Sequence, residues 1–189
     1  TFPAVNRVEF ELYAGETLAI VGESGCGKSV TCLSIMKLLD TRTSVIAPET
    51  SVIFKGKEIS KYTNKQMSKL RGDEISMVFQ DSLTSLNPTM TIINQMIEPF
   101  IIHQGMSKAQ AKKEAIKMLR QVGIPNPEVR AKQYPHELSG GMRQRVIIAM
   151  ALSCEPAVLI CDEPTTALDV TIQAQILRMI NNLKKKLST

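Results

Sequence analysis

The hydrophobic and polar positions divide the chain into short apolar runs and longer helical stripes. Val8–Tyr13 (VEFELY) alternates apolar and polar, the pattern of a half-buried strand. Thr17–Val21 (TLAIV) is a compact apolar run and predicts a buried strand, followed by a glycine-rich turn and then a helix over Ser29–Leu39. Ser51–Phe54 followed by Lys55-Gly56-Lys57 predicts a hairpin, and Ile75–Phe79 another strand. From there to Gly141 the pattern turns helical. Ile92–His103 carries Met96, Ile97, Phe100 and Ile101 as its apolar positions. Ser107 reads as an N-cap for a helix whose stripe is Ala111, Ala115, Leu119 and Val122. Pro125, Pro127 and Pro135 punctuate the return. A helix over Gly141–Ser153, a strand over Ala157–Cys161 and a helix over Thr171–Lys186 complete the series. Strands separated by helices imply an α/β fold around a parallel sheet. Antiparallel edge strands lie near its start, and a helical insertion separates two core strands.

Two stretches carry chemistry. Gly22-Glu23-Ser24-Gly25-Cys26-Gly27-Lys28-Ser29 lies after a predicted strand and opens a helix, the context that turns this spacing from a glycine-rich turn into a phosphate-binding loop. Glycines let backbone N–H groups curl round phosphate oxygens, and the helix N-terminus adds positive partial charge. Lys28 is placed for the β- and γ-phosphates of a nucleotide and Ser29 for Mg²⁺, with Val30 following in the first helical turn. The second stretch, Ala157–Glu163, is an apolar strand ending in two carboxylates. That puts Asp162 and Glu163 at the carboxyl edge of a parallel sheet, where open α/β folds bind ligands. Asp162 suits Mg²⁺ held through water, and Glu163 suits the general base that polarises an attacking water. A third element, Leu138-Ser139-Gly140-Gly141-Met142-Arg143-Gln144, starts a helix with a serine cap and exposed glycine amides. It reads either as an ordinary helix start or as a second phosphate cradle.

Composition narrows the class. The 189 residues are 43% apolar and 22% charged, ordinary for a globular domain with a sizeable core. With no Trp and 4% aromatics the chain is poorly equipped to stack bases, so nucleic acid is not an expected partner. The net charge of +5 is scattered rather than striped. Cys26, Cys32, Cys154 and Cys161 match no zinc spacing and suggest no disulfide framework, which fits a reducing compartment. No apolar run reaches membrane-span length. The chain opens on Thr1 and closes in a lysine-rich stretch, so both ends are expected to be cut.

In the order Gly22–Ser29, Gln80, Leu138–Gln144, Asp162–Glu163 and Ala167-Leu168-Asp169, the chain resembles the ABC transporter ATPases along nearly its whole length. These would be the Walker A loop, Q-loop, signature, Walker B and D-loop, with Met142 at the variable fifth position of the signature. The resemblance implies a P-loop NTPase of ABC type with a parallel core sheet, an N-terminal antiparallel β-subdomain and an inserted helical subdomain. It implies a single domain over 1–189 lacking its C-terminal end, with a RecA-like core over 1–80 and 142–189 and helices over 81–141. It implies Mg²⁺ and ATP as the bound species. Glu163, Gln80 and Lys28 would be catalytic, and Ser29, Gln80 and Asp162 would hold the metal. Gly22 to Val30 would hold the nucleotide, joined by Ser139, Gly140, Gly141 and Asp169 from a second, identical or homologous subunit in a head-to-tail dimer. The family's switch histidine has no counterpart here, so this stretch alone is expected to turn over ATP weakly or not at all. Phe2 is the one aromatic near the start that could stack on adenine, core packing being the alternative.

A narrower likeness lies in Val78-Phe79-Gln80-Asp81, Leu83-Thr84-Ser85-Leu86-Asn87-Pro88, Gln121-Val122-Gly123-Ile124-Pro125, Tyr134-Pro135-His136-Glu137 and Thr165–Thr171. These phrases are similar to the ATPases of dipeptide, oligopeptide and nickel importers. That likeness implies permease subunits as membrane partners, a substrate-binding protein as an indirect one, and a peripheral position on the cytoplasmic face of the cell membrane. The alternatives are a non-transport ABC ATPase acting in DNA repair or on ribosomes, and a nucleotide-binding module with little turnover.

Overall fold

A computed structural model describes residues 3–80, 85–166, 168–187 and 189. Phe2, the Asp81–Thr84 part of the narrower likeness and Ala167 lie outside these. The chain divides into two compact units, residues 1–71 and 72–189.

In the first unit the glycine-rich loop opens helix α1 (Lys28–Ile35). Strands β1 (Ile53–Phe54) and β2 (Lys57–Glu58) pair antiparallel across the Lys55-Gly56 turn, as the hairpin pattern predicts. Helix α2 (Asn64–Leu70) begins with a capping box. The Thr63 hydroxyl accepts from the Gln66 N–H, and the Gln66 side chain accepts from the Thr63 N–H. Arg71 fastens this helix to the end of α1 by donating to the carbonyls of Met36 and Lys37, 2.8 and 2.7 Å away. Lys37 in turn donates to the carbonyls of Ser60 and Tyr62.

The predicted strands Val8–Tyr13 and Thr17–Val21 do not form. Both segments are exposed, Val21 at 88%, and a turn joins them through the Glu16 N–H on the Tyr13 carbonyl. A strand exists by its ladder, and neither segment enters one with another described residue. Among the described residues the apolar run therefore has no strand neighbour to bury it.

The second unit holds the core. Strand β3 (Ile75–Val78) pairs parallel with β4 (Val158–Cys161), in register Ile75 with Val158 through Val78 with Cys161. Between them run helices α3 (Ile92–Met96), α4 (Glu98–Gln104), α5 (Lys108–Gln121), the one-turn α6 (Pro127–Arg130) and α7 (Gly140–Leu152). Helix α8 (Val170–Leu187) follows β4 and carries Lys184, Lys185 and Lys186 in its last turn, where cations complement the helix dipole. Ser107 caps α5 in a second capping box, with Gln110. The predicted stripe Ala111, Ala115, Leu119 and Val122 is fully buried, and α7 is buried nearly all round. Ile101, expected on the apolar face of its helix, is 39% exposed. The buried Gln95 satisfies both ends of its amide on the Asn87–Met90 turn, accepting from the Asn87 N–H and donating to the Asn87 and Met90 carbonyls.

Leu119 lies in the middle of this core, 0% exposed and packed with α5 against the neighbouring helices. Leu119→Ala is expected to destabilise the fold by about 2–5 kcal/mol, because a cavity adds to the lost burial. Urea unfolding followed by circular dichroism measures it, with the slope of the transition unchanged.

Candidate functional site

The first unit supplies the phosphate-binding loop. Its cradle is built around Gly27, which caps α1 in the left-handed region at φ 97°. A Cβ there would meet the Ala4 carbonyl oxygen at 2.6 Å as well as straining the backbone, so only glycine fits. A Cβ at Gly22 would collide with the Cys26 sulfur at 2.6 Å. The Lys28 ammonium folds over the loop and donates to the Gly22 and Glu23 carbonyls, each at 2.9 Å. A cation is thus held against the loop beside amides at a helix N-terminus, an arrangement that fits a polyphosphate. Ser24, Gly25, Ser29 and Val30 belong to the same loop and first helical turn.

The second unit supplies the carboxylates. Because β3 and β4 run parallel and in register, Gln80 and the Asp162-Glu163 pair emerge at the same end of the two strands. The Asp162 N–H donates to the Val78 carbonyl at 2.9 Å, extending the ladder by one residue, and Asp162 is 8% exposed. Glu163 leaves the strand in the left-handed region at φ 46°. Non-glycine residues enter that region at a cost, and such residues concentrate at functional sites. The turn points the Glu163 carboxylate at Gln80, whose Nε2 donates to Oε2 at 2.9 Å. The Thr166 hydroxyl donates to the same oxygen at 3.0 Å and to the Glu163 carbonyl at 3.2 Å. Gln80 and Glu163, both singled out from the sequence, are therefore brought into direct contact although they lie 83 positions apart. Thr166 stands in the importer-like phrase Thr165–Thr171, but the sequence assigns it no role. Its position three residues after Glu163, the spacing of a single turn, was the available signal.

The Ser-Gly-Gly element lies in the same unit. Ser139 is the N-cap of α7, its hydroxyl accepting from the Met142 N–H at 3.3 Å. Arg143 donates to the Leu138 carbonyl at 3.0 Å and braces the turn. Gly141 lies so close to Ile172 that a Cβ would sit 3.2 Å from Cγ2. The Asp169 backbone carbonyl accepts the Gln173 N–H at the start of α8, and Gln173 donates from its side chain to the Thr165 and Leu168 carbonyls. His136 stacks on Tyr134, ring centroids 5.7 Å apart. All four cysteines are free, and burial pushes the Cys154 thiol up, as for an inert core cysteine. Within the second unit, Asp162 and Gln80 stand at the same end of the strand pair and offer side-chain oxygens, the donor type that Mg²⁺ prefers.

A glycine loop opening a helix in one unit, and a parallel strand pair ending in acidic and amide groups in the other, are features of an α/β P-loop fold. A family model described as ABC transporter matches residues 5–166, and the chain belongs to that family. It is 55% identical over 186 residues to the dipeptide transport ATP-binding protein DppD of Bacillus subtilis (98% of this chain, 55% of the relative). It is 53% identical to the oligopeptide transport ATP-binding protein OppD of Salmonella typhimurium, again over 98% of this chain and 55% of the relative. The chain thus spans about half the length of the curated relatives it matches. Among solved structures, it is similar to the ATP-binding cassette MJ0796 in a dimeric post-hydrolysis state bound to ADP and Pi. The TM-score is 0.82 and the identity 30%, covering 97% of this chain and 75% of that one.

Proposed function

We propose that this chain is the ATP-binding and ATP-hydrolysing part of an importer of peptides, with nickel as the other cargo class its sequence resembles. The observation that carries the catalytic reading is the Glu163 carboxylate held by Gln80 at the end of the parallel strand pair. In this reading the loop from Gly22 to Val30 binds the triphosphate, and Lys28 balances its charge. Ser29, Asp162 and Gln80 would hold Mg²⁺, which supplies electrostatic stabilisation of the transferring phosphoryl group when bound. Glu163 takes the proton of the attacking water. Ser139, Gly140, Gly141 and Asp169 act on the nucleotide of a second subunit in a head-to-tail dimer. The names of the dipeptide and oligopeptide relatives support peptide as cargo, and the dimeric cassette relative supports pairing.

The domain division goes with this reading: a core over 1–80 and 142–189, and helices over 81–141. Among the described residues no helix is long and apolar enough to cross a membrane. The proposed station is peripheral, on the cytoplasmic membrane face, against permease subunits that receive cargo from a binding protein. Affinity purification of the tagged full-length protein is expected to bring down permease subunits. ATP turnover of the assembled complex in vesicles should rise severalfold when peptide-loaded binding protein is added. Co-purification with ribosomes or DNA, or turnover indifferent to peptide, would overturn the transport reading.

A further inference from the structure

Two donors converge on one oxygen of Glu163. Gln80 comes from the end of β3, whereas Thr166 comes from the turn that leads to α8. That turn is itself fastened. The Thr166 N–H donates to the Glu163 carbonyl, the Leu168 N–H donates to the Thr165 carbonyl, and Gln173 donates from α8 to the Thr165 and Leu168 carbonyls. The Thr166 hydroxyl is thus fixed relative to both α8 and the end of β4. Glu163, for its part, sits at φ 46°, a conformation that the residue does not favour and its neighbours must maintain. We propose that Thr166 is a positioning residue for ATP hydrolysis. Its hydroxyl donates to Glu163 Oε2 and, with Gln80, fixes the rotamer that presents the carboxylate to the attacking water. This inference rests on Glu163 acting as the base.

The geometry makes the hydroxyl the relevant part of the side chain. Thr166 is exposed, so it contributes little to the core, and its Oγ1 serves both the carbonyl and the carboxylate of one residue. Val has the same shape without the donor, and Ser keeps the donor without the methyl. Thr166→Val in the full-length protein is expected to lower kcat about tenfold, the size of one lost hydrogen bond to a charged group. KM for ATP should stay within about twofold, and the thermal midpoint should not move. Thr166→Ser is expected to restore most of kcat. In a Glu163→Gln background, Thr166→Val should have no further effect on the residual rate, because the two residues act as a unit. Unchanged kcat in Thr166→Val, or a loss that Thr166→Ser does not rescue, would overturn the inference. If Glu163→Gln itself left turnover intact, it is the assignment of the base that would fail.

Discussion

Glu163→Gln is expected to lower the rate of ATP hydrolysis about 10³-fold, within the range a general base contributes, while MgATP binding persists. The substitution is nearly isosteric. The carboxamide oxygen can still accept from Gln80 Nε2 and from the Thr166 hydroxyl, so the left-handed turn and the end of the strand pair keep their contacts. What disappears is the capacity to take a proton from water. Chemistry then stalls after binding, and the ATP-loaded form accumulates. If two subunits share each nucleotide, that form is a dimer. Phosphate release under steady-state conditions measures the first consequence, and sedimentation with and without MgATP the second. Turnover within twofold of wild type would remove Glu163 from the role of base. Loss of turnover by a variant that stays monomeric in MgATP would retain the base but reject the shared site.

The sequence displays local spacing more plainly than long-range pairing. The glycine loop, the paired acids and the serine-glycine turn each have a local spacing, and local spacing is readable. So are the helical stripe from Ala111 to Val122, the Ser107 cap and the Lys55-Gly56 hairpin, since each needs only its own neighbours. Helix α2 is missing from the sequence-based expectations, although Thr63 and Gln66 stand at capping-box spacing. The Val8–Tyr13 and Thr17–Val21 segments differ in kind. Their composition suits strands, yet a strand depends on a partner that composition does not specify, and no ladder forms on them among the described residues. The family likeness makes Gln80 and Glu163 both catalytic but does not imply their contact. No periodicity connects positions so far apart, and the parallel register of β3 and β4 is what joins them. The left-handed turn at Glu163 was also illegible. A side chain in that region is imposed by surroundings, here the ladder bond from Asp162 on one side and the Thr166 turn on the other.

Lys28→Ala is expected to weaken ATP binding about a hundredfold, the value of roughly two charge-assisted hydrogen bonds. In the structure the ammonium already makes two bonds, to the Gly22 and Glu23 carbonyls. Those carbonyls are exposed, so water can replace the lysine there and the fold should lose little. A triphosphate offers the same ammonium oxygens with full negative charge, and that exchange of partners is what alanine removes. Arginine should not rescue it. The two carbonyls take a compact ammonium at the end of a flexible stem, and a planar five-donor fork does not reproduce that point charge. The loss should depend on the phosphates and not on the base: the variant's deficit for ATP should exceed that for AMP by an order of magnitude or more. Calorimetric titration of both nucleotides into wild type and variant tests this directly. Equal deficits would mean that Lys28 acts by shaping the loop, and an ATP affinity within threefold of wild type would mean that it does not meet the phosphates at all.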